Sequence, residues 1–105
     1  HITIASGRRP EPNQVRIDND TSSFFTIIEV LTYDFAGLLF TITNTLYRCG
    51  ANVNVAMVGS KVDQIMDIFY VRSLENDQKI QDPEELKQIK TAILERLPQL
   101  HAKEV

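Results

Sequence analysis

The spacing of apolar residues changes period once between Phe24 and Cys49, and that change restricts the fold more than anything else in the chain. Phe24 to Thr32 is built from Phe, Thr, Ile, Glu, Val and Leu without Gly or Pro, the make-up of a β-strand. Thr26, Ile28 and Val30 alternate with Phe25, Ile27, Glu29 and Leu31, so both faces are mostly apolar, as in a central strand with helices on one side and another surface on the other. From Gly37 the period becomes helical. Leu39, Ile42, Leu46 and Cys49 fall at i, i+3, i+7 and i+10, flanked by Leu38, Thr41 and Thr45, and Gly50 suits the left-handed residue that ends a helix.

The flanking segments complete a pattern of strands and helices. Val15-Arg16-Ile17-Asp18 alternates as a short half-buried strand, and Asn19 to Ser23 breaks it. Ala51 to Val58 and Lys61 to Val71 read as two strands of a hairpin turning at Gly59-Ser60. Asp82-Pro83-Glu84-Glu85 has a cap residue, a proline at the first helical position and early acidic residues, and opens a second helix. Its apolar stripe is Leu86, Ile89, Ile93 and Leu97, and Pro98 stops it.

Read in order, these elements predict an α+β chain with a ferredoxin-like two-layer sandwich: a four-stranded antiparallel sheet with two helices on one face. No strand follows Pro98, so Val15 to Asp18 is expected to supply the missing edge, as in a circular permutation. The expected division is residues 1–14 as a linker or a tag or cleavage remnant, 15–98 as the domain and 99–105 as a polar tail. A chain of 105 residues that begins at His1 reads as an excised piece of a longer protein.

Bulk properties exclude several classes of function. A formal charge of −3 with scattered basic residues gives no stripe for phosphates, so no nucleic acid partner is expected. No apolar stretch is long enough to cross a bilayer. The single Cys49 cannot form an internal disulfide, and the start lacks the order of a signal peptide, so a cytoplasmic setting is expected.

Most of the chemistry lies in the turn Asp34-Phe35-Ala36-Gly37-Leu38-Leu39. Gly37 allows an unusual backbone angle, and the first N–H groups of the helix face outward there, where an anion could dock. An amino-acid carboxylate suits them, and Asn52 and Asn54 could receive its ammonium. Capping alone also accounts for Asp34 and Gly37.

This turn resembles the D-R-P-G-L-L turn of ACT domains, and Cys49-Gly50-Ala51-Asn52-Val53 resembles the G-x-N-I that starts their second strand. Together with Val15–Asn19, Thr26–Val30, Met66–Val71 and Lys79–Pro83, the pattern is similar to the ACT repeats at the C-terminal end of bifunctional uridylyltransferase/uridylyl-removing enzymes. The resemblance implies a regulatory, glutamine-sensing unit of a nitrogen-regulating transferase that acts on the PII signal protein. It implies a partner ACT unit, in the same chain or as a homodimer, and a ligand site at Asp34, Ala36, Gly37, Leu38, Asn52 and Asn54. Phe35 and Ala36 depart from it, standing where the family has arginine and proline. Asn54 stands where these repeats often have histidine.

No catalytic residue, metal or cofactor is expected. Gly59-Ser60 with Asp63 and Asp67 has the wrong context for a nucleotidyltransferase, because the Gly-Ser pair sits in a hairpin and the aspartates are four apart. His101 lacks ligand partners at metal spacing, Cys49 lies on an apolar stripe, and Asp18-Asn19-Asp20 reads as a turn. Glu29 and Asp67 read as exposed sheet-face or interface carboxylates. An alternative role is association without a ligand, through the far sheet face carrying Phe25, Ile27 and Leu31, or regulation of another metabolic enzyme.

Overall fold

The computed structural model describes residues 12–60 and 64–99. Its elements are β1 (Gln14–Asp18), β2 (Thr26–Thr32), α1 (Leu38–Arg48), β3 (Ala51–Ser60), β4 (Ile65–Ser73) and α2 (Pro83–Arg96). The strands form one antiparallel sheet in the order β1-β2-β4-β3. Both helices lie on one face, with α1 against β3, α2 against β1, and the helices against each other. The architecture is the expected α+β ferredoxin-like sandwich. β1 occupies the edge beside β2, with Val15 opposite Val30 and Ile17 opposite Ile28, as the permuted order requires.

The core between sheet and helices is Val15, Ile28, Val30, Phe69 and Val71 from the strands with Leu38, Ile42, Leu46, Ile89, Ile93 and Leu97 from the helical side. On α1 the buried stripe runs through Leu38, Ile42, Thr45 and Leu46, one residue rotated from the expected stripe. Leu39 is exposed. Gly50 takes φ 85° just past the helix, as expected of the residue that turns the chain into β3. Asp82 caps α2 by accepting the N–H of Glu84 at 3.3 Å, with Pro83 at the first position.

Two boundaries differ from the sequence reading. Gly59 and Ser60 belong to β3, paired with Met66 and Ile65, so the connection to β4 passes through 61–64 rather than turning at the Gly-Ser pair. Asn13, placed in the linker by its sequence, accepts the Thr32 hydroxyl at 2.7 Å and donates to the Pro98 carbonyl at 2.8 Å. These two bonds tie the residue before β1 to both the end of β2 and the end of α2. The remaining linker residues 1–11, the tail 100–105 and Asp63 lie outside the described residues.

Candidate ligand site

The turn between β2 and α1 is built by its glycine. Gly37 sits at φ 81°, ψ 12°, and the N–H of Leu38 donates to the carbonyl of Phe35 at 3.1 Å. Phe35-Ala36-Gly37-Leu38 is therefore a type II turn with glycine at the position that needs positive φ. A β-carbon on Gly37 would meet nothing within 4 Å, so its conformation, not crowding, calls for glycine there.

Helix α1 thus starts on a glycine that offers no side-chain cap. Asp34 is exposed and makes no side-chain cap to it. Leu38 is buried, and its N–H closes the turn on the Phe35 carbonyl. The N–H groups of Leu39 and Phe40 have no partner among the described residues. These, with exposed Ala36 and Gly37, make up the positive end of the helix dipole.

The two asparagines lie elsewhere within this chain. Thr32 aligns with Ile65 and Ser60, whereas Asn52 aligns with Arg72 at the opposite end of the sheet. From Ser60 back to Asn52 is about 26 Å of strand at the usual rise per residue. Asn54 is the residue left over at a register shift between Val53 and Val55, a β-bulge. Both asparagines are exposed.

Asp67 is the buried polar group nearest in kind to a site residue, and its sequence context misplaces it. It faces the helix layer in line with Phe69 and Val71, is only 2% exposed, and its Oδ1 has no hydrogen-bond partner. Burial pushes its carboxyl above the ordinary aspartate range, and the charge of Asp34 at the turn adds to the shift. Glu29 lies on the other face. Cys49 is half-buried against the core with its thiol raised by burial, which makes it a poor nucleophile. Asp18 accepts the N–H groups of Asp20 and Thr21 and the Thr21 hydroxyl, closing the turn expected after β1. Among the described residues no His/Cys/Asp/Glu group could hold a metal, and no helix is long and apolar enough to cross a membrane.

Of the apolar residues expected to form an interface, Ile27 is 4% exposed, and Phe25 packs edge-on against Tyr70 with Arg72 over its ring. Leu31 is half-buried. Exposed apolar side chains lie also on α1 (Phe40 and Tyr47), on β3 (Val55, Met57 and Val58) and in the loops at Phe24 and Leu74. Among the described residues β3 pairs only with β4.

The strands and helices define a ferredoxin-like α+β domain. Comparison with known proteins gives it relatives. The chain is 34% identical over 87 residues to the bifunctional uridylyltransferase/uridylyl-removing enzyme of Cereibacter sphaeroides, covering 80% of this chain and 9% of that protein. It is 35% identical over 94 residues to the enzyme of the same name from Bradyrhizobium diazoefficiens, covering 87% and 10%, and 29% identical over 106 residues to that of Stutzerimonas stutzeri, covering 94% and 12%. The chain resembles a part of that enzyme and spans about a tenth of the length of these curated relatives. No family model matches, and no solved structure does.

Proposed function

We propose that this chain is a regulatory ACT-type unit of a bifunctional uridylyltransferase/uridylyl-removing enzyme, and that it binds an amino acid, glutamine by resemblance, at the β2–α1 turn. The observation that carries the reading is the glycine-built turn, which leaves the Leu39 and Phe40 N–H groups free at the positive end of an 11-residue helix. The ligand's carboxylate docks on those groups, with Asp34, Ala36 and Gly37 shaping the mouth.

The separation of Asn52 from the turn favours a second unit as part of the site. β2 and β3 run parallel, each antiparallel to the β4 between them. If the free edge of β3 pairs antiparallel with β3 of a like unit, the start of the second unit's β3 comes to the same end of the joint sheet as this unit's turn. The exposed apolar surface of α1 and β3 supports such pairing. A ligand held between two units prefers the paired arrangement, which is what a regulatory signal requires; such couplings are typically about 1–3 kcal/mol.

A thermal-shift panel of the amino acids tests this. At a hundred times its dissociation constant, a ligand binding only the folded state stabilises it by about 2.7 kcal/mol, and Gly37→Val should remove the share of that response that comes from the turn. No shift with any amino acid at millimolar concentration overturns the sensor reading and leaves association as the role of the domain.

A further inference from the structure

The sheet face turned away from the helices carries a cavity of about 410 Å3 at the same end of the sheet as the turn, within the roughly 300–1,000 Å3 of small-molecule sites. Its walls come from β1, β2 and the start of β4. Gln14, Leu31 and Met66 form one cross-strand row, and Arg16 and Glu29 stand opposite each other in the next. Gln64 closes the end.

Three observations give this cavity chemical character. Arg16 Nη1 and Glu29 Oε1 are 3.9 Å apart, too far for a hydrogen bond, so each charge keeps capacity for another partner. Gln64 is only 8% exposed, and its Nε2 has no hydrogen-bond partner among the described residues. A buried donor of this kind favours any occupant that brings an acceptor to it. Leu31 and Met66 supply the half-buried apolar floor.

We infer that this open-face cavity is a second binding site, separate from the turn, for a small zwitterion of the α-amino-acid class. The ligand's carboxylate meets Arg16 and the Gln64 carboxamide, its ammonium meets Glu29, and its side chain lies over Leu31 and Met66. A lone anion would be repelled by Glu29 and a lone cation by Arg16, so the pair selects a molecule carrying both charges. The sheet separates this site from the turn, and the inference does not depend on the turn binding anything.

The test is 1H–15N NMR of the chain titrated with L-glutamine and L-alanine, with acetate and methylamine as single-charge probes. The Gln64 side-chain amide should shift with the amino acids and not with acetate or methylamine at equal concentration. Arg16→Ala should weaken that response at least about ten-fold, and Gln64→Leu, which removes the reporter amide, should weaken the amino-acid shifts of the Leu31 and Met66 backbone amides to the same extent. Arg16 is largely exposed, so its variant remains informative if Gln64→Leu does not fold. A Gln64 amide that stays still, or a response that Arg16→Ala leaves unchanged, overturns the inference. Shifts confined to the Leu39 and Phe40 amides overturn it while preserving the turn as a site, and shifts confined to Gln64 do the reverse.

Discussion

The Thr26 hydroxyl and the Ile80 backbone are joined in the interior: Oγ1 accepts the Ile80 N–H at 2.9 Å while donating to Asn19 Oδ1 at 2.7 Å, and Asn19 Nδ2 donates to the Ile80 carbonyl at 2.8 Å. This triangle ties the β1–β2 loop to the segment leading into α2, and Lys79 reinforces it by donating to the carbonyls of Asn19 and Ser22. Thr26→Val keeps the shape but leaves the Ile80 N–H buried without its acceptor. It should lower stability by about 1–3 kcal/mol, read as a lower midpoint in urea unfolding. Thr43→Val, on the helix surface, should change the midpoint by less than about 0.5 kcal/mol.

The turn gives a prediction of opposite sign. In a type II turn the residue before the glycine takes a φ near that fixed in proline, and Ala36 is exposed with no backbone N–H bond among the described residues. Ala36→Pro, which restores the residue common in the resembling turns, should stabilise the chain by about 0.4–1 kcal/mol by restricting the unfolded state. Gly37→Ala should destabilise it by about 1–2 kcal/mol, because a side chain is forced into the left-handed region. Thermal midpoints of the two variants should therefore move in opposite directions.

Much of the architecture was legible because the elements are marked locally. The single change of period from β2 to α1, the Asp82-Pro83 start of α2 and the alternation from Val15 to Asp18 give the element order and the edge strand. What was not legible depends on register. A period-two reading of β3 puts Asn52, Asn54, Ala56 and Val58 on one face, but the bulge at Asn54 moves Asn52 to the open face with Val55 and Met57. The distance between the turn and Asn52 is likewise a property of the sheet, since a helix returns the chain to the far end before β3 begins. Asp67 read as exposed because its strand is apolar on both faces, and alternation alone cannot say which face the helices cover.

Asp67 sets a pH dependence. Its carboxyl is raised above the ordinary value of 3.8, first by burial and then by Asp34. A group whose pKa is higher folded than unfolded contributes fully below the unfolded value and loses that contribution as pH rises through the folded one. Asp67→Asn removes the buried charge at similar volume. Its thermal midpoint should exceed the parent's at neutral pH, and the advantage should shrink as pH falls toward 3.8. Asp34→Asn should reproduce a smaller part of the gain. An advantage that grows on acidification would contradict this assignment.

Association can be separated from the open-face cavity because the surfaces lie on different strands. The free edge of β3 presents Val58 at 64% exposure, next to Met57 in the strand. A lysine on an edge strand opposes pairing with another edge, and substitution at so exposed a position should change the fold's own stability by no more than about 0.5 kcal/mol. If β3 is the pairing edge, sedimentation of the chain at rising concentration should show mass above the 12.0 kDa of one copy. Val58→Lys should return it to that value with the thermal midpoint little changed. Leu31→Asp, on the sheet face away from the helices, should leave the mass as it was while weakening the Gln64 amide response. Loss of association in Leu31→Asp but not in Val58→Lys would move the interface to the open face, because the half-buried Leu31 would then be the contact that holds two units together.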